Sequence, residues 1–241
     1  YFGFGDEEKV KDAIGNSIWI ITVCSVIMAI IGFVTARPIL VLLDTDPVIL
    51  NDAVAYLKVV SIGIVCVGFY NGVSGILRAL GDSKTPLIFL IVASVLNVIL
   101  DLIFVLSFGW GVVGAGVATA FSQLISALAC IIYAYKSNTY FKLKKKNIKL
   151  NGNIIKKSCK LGIPVALQNS LIAFSLIVLQ KVVNGYGATF TTAFTVVSRI
   201  ETLVQQPFMS LGAAVSTYTG QNIGAGLKDR VRKGFNSATL V

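Results

Sequence analysis

Ser94, Asn97 and Asp101 stand three and four residues apart in an otherwise apolar stretch, PLIFLIVASVLNVILDLIFVLSF, residues 86–108. At helical spacing they fall within an arc of ~60°, so they form one polar stripe on one face. Burial raises the pKa of a carboxylate and a nearby cation lowers it. A group such as Asp101 can therefore alternate between holding a proton and holding a metal cation. Asn97, one turn away, offers a carbonyl oxygen ligand or a hydrogen bond to the acid. The next apolar segment offers a partner. After a Gly-Trp-Gly turn, Thr119 lies about 8 Å in from Gly114, and Asp101 lies about 10 Å in from Phe108, so an antiparallel pair places them at similar depth. Gly111, Gly114, Ala115, Gly116 and Ala118 would let the two helices approach closely, and a threonine hydroxyl is an acceptable ligand for a hard cation. On its own, Thr119 also reads as an ordinary packing threonine, and Asp101 as a structural acid hydrogen-bonded in a bundle. An acid at bilayer depth is costly enough that its presence argues for a functional site.

The elements that must position these residues are membrane spans. Hydrophobic residues make up 55% of the 241-residue chain and charged residues 13%, about half the charge that a soluble domain carries. Apolar runs near 20 residues, long enough to cross a hydrocarbon layer roughly 30 Å thick, recur at about 14–35, 54–80, 86–108, 114–135, 160–183 and 192–219. The expected fold class is all-α, a polytopic membrane helical bundle of six spans. Of the 21 basic residues, 17 fall in alternate connections: Lys9 and Lys11; Arg78 and Lys84; nine lysines between Lys136 and Lys160; and Lys228, Arg230, Arg232 and Lys233. The intervening connections hold only Arg37, with Asp44, Asp46 and Asp52 nearby. The positive-inside rule then makes the Lys-rich side, and both ends of the chain, cytoplasmic. The net charge of +10 thus reads as a topology determinant and not as a nucleic-acid patch.

Further polar residues in the spans are less decisive. Gln168 and Asn169 on the fifth span face a substrate route or bind neighbouring helices. Arg199 and Glu201, two apart on the sixth, point to opposite sides and cannot pair with each other; they line a cavity or sit near the outer interface. Pro207 frees a carbonyl in that span and should bend it. Lys58 and Lys181, near outer ends, should snorkel. The four cysteines lie in or beside apolar segments without metal-type spacing and read as packing residues. Histidine is absent, and nothing resembles a nucleophile–base pair or a phosphate loop, so an enzyme reading has no positive support.

The two ends of the chain resemble each other. Gly3-Phe-Gly5-Asp-Glu-Glu8-Lys9-Val10-Lys11 parallels Gly224-Ala-Gly226-Leu-Lys-Asp229-Arg230-Val231-Arg232, each pair 221 positions apart. Each copy is a Gly-x-Gly turn followed by a charged, amphipathic stretch. A match this short also arises by chance between charged loops. As a repeat, it marks one period of a duplicated protein whose halves, separated by an even number of spans, would be parallel and related by an axis along the membrane normal. The chain opens on Tyr1 without an initiator Met and reads as a fragment of something longer.

Three motifs carry a family resemblance. YNGVSGILRALGDSKTP, from Tyr70 to Pro86, resembles the loop between the fourth and fifth helices of multidrug and toxic compound extrusion (MATE) transporters. NVILDLIF followed by GVVGAGVATA resembles their fifth and sixth helices, and Gly220-Gln-Asn-Ile-Gly-Ala-Gly226 resembles the cytoplasmic loop after the eighth. The resemblance implies twelve helices in two six-helix lobes, of which this chain would hold helices three to eight. Residues 1–135 would belong to the N-terminal lobe, 136–160 to a basic cytoplasmic linker, and 161–241 to the start of the C-terminal lobe. It implies export of organic cations or amphipathic drugs by alternating access, against influx of Na⁺ or H⁺, with no other cofactor, in the plasma membrane, as a monomer when full length. In the family an N-lobe cation site uses an acid and an amide on helix five and a threonine on helix six. Those roles fall on Asp101, Asn97 and Thr119. The same site involves an aspartate on helix one, outside this chain. Some members carry a coupling glutamate on helix seven, but here no Asp or Glu occurs between Asp101 and Glu201, which resembles the bacterial and archaeal branches that couple through the N-lobe. Two alternatives are a lipid-linked oligosaccharide flippase of the same superfamily, which should show several basic residues in its cavity where Arg199 stands almost alone, and an ion channel, which should show more than one polar stripe.

Overall fold

The structure, a computed structural model, describes residues 1–43 and 45–239. Asp44, one of the acids of the 36–53 connection, and Leu240 and Val241, the end of the expected C-terminal segment, lie outside the described residues. Among those described, every regular element is a helix: α1 (Glu7–Leu42), α2 (Pro47–Ala79), α3 (Lys84–Asp101), α4 (Gly111–Ser137), α5 (Gly152–Asn184), α6 (Ala188–Gly224) and α7 (Lys228–Ala238), with short 3-10 turns at Phe2–Phe4 and Thr139–Phe141. A π-helical segment, Leu102–Ser107, continues α3.

Five of these are long and apolar enough to cross a membrane: α1, α2, α3 with its π continuation, α4 and α5. The expectation of six such spans needs correction at the last. α6 is a single helix of 37 residues, long enough to cross. Its threonines together with Arg199, Glu201, Gln205 and Gln206 make it less apolar than the other five. It continues through Pro207, as α1 and α5 continue through Pro38 and Pro164. α1 also outruns its apolar core. Glu7 and Glu8 sit in its first turn, where carboxylates favour the helix dipole, and Lys11 Nζ approaches Glu7 Oε1 at 2.6 Å one turn on.

Local sequence sets the boundaries. Asp46 Oδ1 accepts from the Val48 amide (2.8 Å) at the start of α2, where Pro47 takes the first helical position. Proline lacks only a donor that would be orphaned there. Between α2 and α3, Gly81 adopts φ 96° and Asp82 Oδ1 caps the Thr85 amide at 3.0 Å. Asn151 caps α5 through the Asn153 amide at 3.1 Å.

The chain divides into two compact units, Glu7–Leu150, and Tyr1–Asp6 with Asn151–Val241. In the first, α2 and α4 pack around Tyr70, Val73, Leu77, Ala127, Cys130 and Ala134. The Tyr70 hydroxyl donates to the Pro86 carbonyl (2.7 Å, buried) and Ser126 Oγ to the Phe89 carbonyl (2.9 Å). These two bonds pin the start of α3 between α2 and α4. Small residues set the helix spacing: a Cβ added at Gly63 would lie 3.0 Å from Ala120 Cβ, and one at Gly116 would lie 3.2 Å from the Tyr56 ring. Close backbone approach through small residues is how helices associate where lipid removes the hydrophobic drive.

The second unit contains both Gly-x-Gly turns. Gly5 and Gly226 adopt φ 69° and 75°, and each is followed two residues later by a helix start, at Glu7 and at Lys228. The 221-residue offset seen in the sequence is thus kept in backbone conformation and helix phase. The equivalent glycines Gly3 and Gly224 also touch: a Cβ on Gly224 would lie 3.1 Å from Gly3 Cα, and one on Gly3 would run into the Gln221 carbonyl.

Candidate cation site

α3 and α4 form an antiparallel hairpin closed by the Gly109-Trp110-Gly111 turn. Gly109 and Gly111 take φ 67° and 54°, a region open to glycine at little cost. Across this hairpin Asn97 Nδ2 donates to Thr119 Oγ1 at 3.3 Å, and Thr119 Oγ1 donates to the Ala115 carbonyl at 3.0 Å. Asn97 and Thr119 are therefore brought together. Depth at α-helical rise instead sets Asp101 level with Thr119, and no hydrogen bond joins those two among the described residues. Ser94, the first residue of the stripe, turns to its own helix and donates to the Leu90 carbonyl at 3.0 Å.

Asp101 is the last residue of α3, and the backbone changes register there. Beyond it the Phe108 amide donates to the Ile103 carbonyl, five residues back, and the Trp110 amide to the Phe104 carbonyl, six back, both at 3.0 Å. The α-helical rise used to place Asp101 at about 10 Å from Phe108 does not hold over these residues. A π turn inside a membrane helix is rare and is found often at functional positions. Asp101 Oδ1 is buried and has no hydrogen-bond partner among the described residues. An ionised carboxylate oxygen left so is expensive by several kcal/mol unless a proton or a cation joins it. The polar groups of the stripe and its partner are a carboxylate, a carboxamide and two hydroxyls, with no imidazole or thiolate. That donor chemistry suits a proton or a hard cation such as Na⁺.

Gln168, Asn169, Arg199 and Glu201 are placed differently. All four are exposed, on α5 and α6, and no hydrogen bond or ion pair among the described residues joins one to another. Glu201 Oε1 accepts from Gln205 Nε2 at 2.9 Å, one turn along the same helix. Lys58 Nζ lies 5.1 Å above the Phe33 ring.

Sequence reasoning missed one polar cluster. The connection 142–150 is strapped across the first turns of α1. Asn147 Nδ2 donates to Asp12 Oδ1 (2.7 Å), Asn147 Oδ1 accepts from the Lys144 amide (3.0 Å), Asn16 Nδ2 donates to the Lys149 carbonyl (3.3 Å), and Trp19 Nε1 donates to the Ile148 carbonyl (2.9 Å). Lys146 Nζ meets Glu8 Oε2 at 2.5 Å. The hydrogen bond from Lys146 holds the Glu8 carboxyl below its usual range, and Glu8 in turn raises the Lys146 ammonium. Asn16 and Asn147 are both fully buried, and nothing in the sequence around either residue signals that burial.

Five apolar helices of membrane length, packed through small residues, define a polytopic α-helical membrane protein. The MatE family model matches residues 1–103 and 164–241, and the chain belongs to that family of transporters. It is 35% identical over 230 residues to the "Probable multidrug resistance protein YpnP" of Bacillus subtilis (strain 168), covering 95% of this chain and 51% of the relative. It is 30% identical over 239 residues to the "Probable multidrug resistance protein YoeA" of the same organism, covering 96% and 52%. In three dimensions it is similar to a MOP superfamily transporter from Pyrococcus furiosus Vc1, with a TM-score of 0.90 at 24% identity, over 98% of this chain and 53% of that one. At that identity the likeness concerns the fold alone. The chain spans about half the length of the relatives it matches.

Proposed function

We propose that the protein to which this chain belongs is a cation-coupled antiporter that exports organic cations or amphipathic drugs by alternating access, driven by Na⁺ or H⁺. The observation that carries this reading is the buried, unpartnered Asp101 oxygen at the end of a helix whose Asn97 is tied across the hairpin to Thr119. Asp101 is the titratable group. Asn97 stands one turn before Asp101, and its Nδ2 bond to Thr119 ties the two helices together before a cation arrives. When a cation or proton occupies Asp101 the buried charge is neutralised, and its release restores the cost. Such a site can bias two arrangements of the surrounding helices in opposite directions. The names of the two Bacillus relatives support drug export as the transported function.

In this reading residues 1–135 belong to one lobe, 136–160 to a linker and 161–241 to the second lobe. The matching turns at Gly5 and Gly226 support parallel repeats. The Lys-rich connections face the cytoplasm, both ends of the chain lie there, and the membrane is the plasma membrane. Gln168, Asn169, Arg199 and Glu201 belong to the surface along which substrate passes, and the protein is no enzyme.

The test uses the intact protein in liposomes loaded with a fluorescent organic cation, with a sodium gradient and a proton gradient imposed separately. One gradient is expected to drive efflux, and Asp101→Asn to abolish that dependence while the protein still inserts. Gradient-driven efflux by Asp101→Asn would sink the site, and indifference of the unaltered protein to both gradients would sink the antiporter.

A further inference from the structure

The strap over residues 142–150 lies in a segment, 104–163, that the family model does not match. It is lysine-rich and contains no acid. Of its five lysines, Lys146 is taken by Glu8. Lys142, Lys144, Lys145 and Lys149 are exposed, and no carboxylate among the described residues pairs with them. Their backbone is fixed by Asn147, Asn16 and Trp19, so these charges sit on a strand of chain tied to α1 at defined points.

The height of the strap is also defined. Trp19 is half-exposed, with 42% of its surface accessible, and lies where the charged first turns of α1 give way to its apolar core. Tryptophan with one wet and one apolar side marks the membrane–water boundary. Its indole donates to the strap itself, so the strap runs at that boundary. Ile148 and Leu150, 42% and 64% exposed, flank Lys149. Lysines interleaved with exposed apolar side chains at the interface match a surface whose charge is anionic and whose depth is greasy. A polynucleotide would complement the lysines alone.

We propose that the strap Lys142–Leu150 is a docking surface for anionic phospholipid headgroups of the leaflet at that end of α1. Lys142, Lys144, Lys145 and Lys149 contact the phosphates, and Ile148 and Leu150 enter the upper acyl region. The pinning by Asn147 distinguishes this from a diffuse basic loop, because the lysines are held at headgroup height before lipid binds.

The test reconstitutes the intact protein in nanodiscs of phosphatidylcholine mixed with phosphatidylglycerol, extracts it gently and counts retained lipids by native mass spectrometry. Phosphatidylglycerol is expected to be retained over phosphatidylcholine, less so at high salt. Each lysine neutralised should cost about five-fold in retention, from the usual attraction of a basic side chain to an anionic leaflet. The quadruple change Lys142→Gln, Lys144→Gln, Lys145→Gln and Lys149→Gln should remove the preference, and Asn147→Ala, with charge unaltered, should weaken it. Equal retention of the two lipids, or full preference in the quadruple variant, overturns the proposal. Full preference in Asn147→Ala overturns the pinned geometry, and retention of added polynucleotide in place of lipid assigns the lysines to another partner. None of these readings depends on transport, so the lipid surface and the antiport mechanism fail separately.

Discussion

Replacing Asn147 with alanine removes two hydrogen bonds at one stroke and leaves their partners behind. One is the 2.7 Å bond from Nδ2 to the Asp12 carboxylate, a contact to a charged group worth about 1.5–3 kcal/mol. The other is the 3.0 Å bond accepted from the Lys144 amide, worth about 1 kcal/mol. Trp19 and Asn16 still hold the strap at Ile148 and Lys149, so the loss is local. The strap should open about 2–4 kcal/mol more readily, a change of roughly thirty-fold to several-hundred-fold in the open population. Limited trypsin digestion reads this directly, because the strap carries five lysines and cleavage there follows the open fraction when opening is fast. The expected result is faster cutting at Lys142–Lys146, with cutting at Lys228–Lys233 unchanged as an internal reference. A variant cut no faster than the unaltered protein would refute the claim that Asn147 holds the strap.

Three further outcomes follow from the geometry. Tyr70→Phe should lower the stability of the detergent-solubilised protein by about 1 kcal/mol, read as a lower melting temperature, since only the buried bond to the Pro86 carbonyl is lost. Gly5→Ala and Gly226→Ala should each cost about 1–2 kcal/mol because both positions require left-handed backbone. Markedly unequal costs would argue against equivalent turns. The Glu8–Lys146 pair should protect the strap across a defined pH window. The lowered Glu8 carboxyl contributes above its ordinary value of 4.5, and that contribution disappears as pH falls through the lowered folded value. The raised Lys146 ammonium contributes below 10.5, and that contribution disappears as pH rises through the raised one. Hydrogen exchange at the Lys144 amide should therefore be slow between these limits and lose protection in acid, after correction for the intrinsic rate.

How much of this was legible in the sequence depends on how local each feature is. The spans announce themselves by apolar length, and five of the six meet that description in the structure. The sixth, α6, is helical by continuity and not by apolarity, because Arg199, Glu201 and two glutamines interrupt its run. The Gly-x-Gly repeat was readable because φ > 0 demands glycine at Gly5 and Gly226 alike. The pairing of the third and fourth spans through a short turn was readable, but depth alone pairs Thr119 with Asp101, and the bond that forms is to Asn97, one turn earlier. The π turn after Asp101 was not readable, since nothing in LIFVLS departs from an ordinary apolar helix; in the structure Gly114 of α4 sits close against the Phe104 carbonyl within that segment. The strap was invisible for another reason. Asn147 and Asp12 are 135 positions apart, and no periodicity connects a basic loop to the first turns of a helix so distant.

The two polar sets in the chain differ in kind, and the difference bears on what each can bind. Asn97 and Thr119 are held on a hairpin whose helices are spaced by glycine and alanine, and their bond crosses from one helix to the other. Gln205 reaches Glu201, and Gln180 reaches Asn184 at 2.8 Å, each along its own helix, although Asn184 also accepts from Thr191 of α6 at 3.4 Å. Oxygen ligands for a small cation must be fixed to within about half an ångström to select it. A surface that accepts many organic compounds gains from side chains that can rearrange. Under the proposed function, the bond that crosses the hairpin would suit an ion, and side chains bonded mainly along α5 and α6 would suit a varied solute.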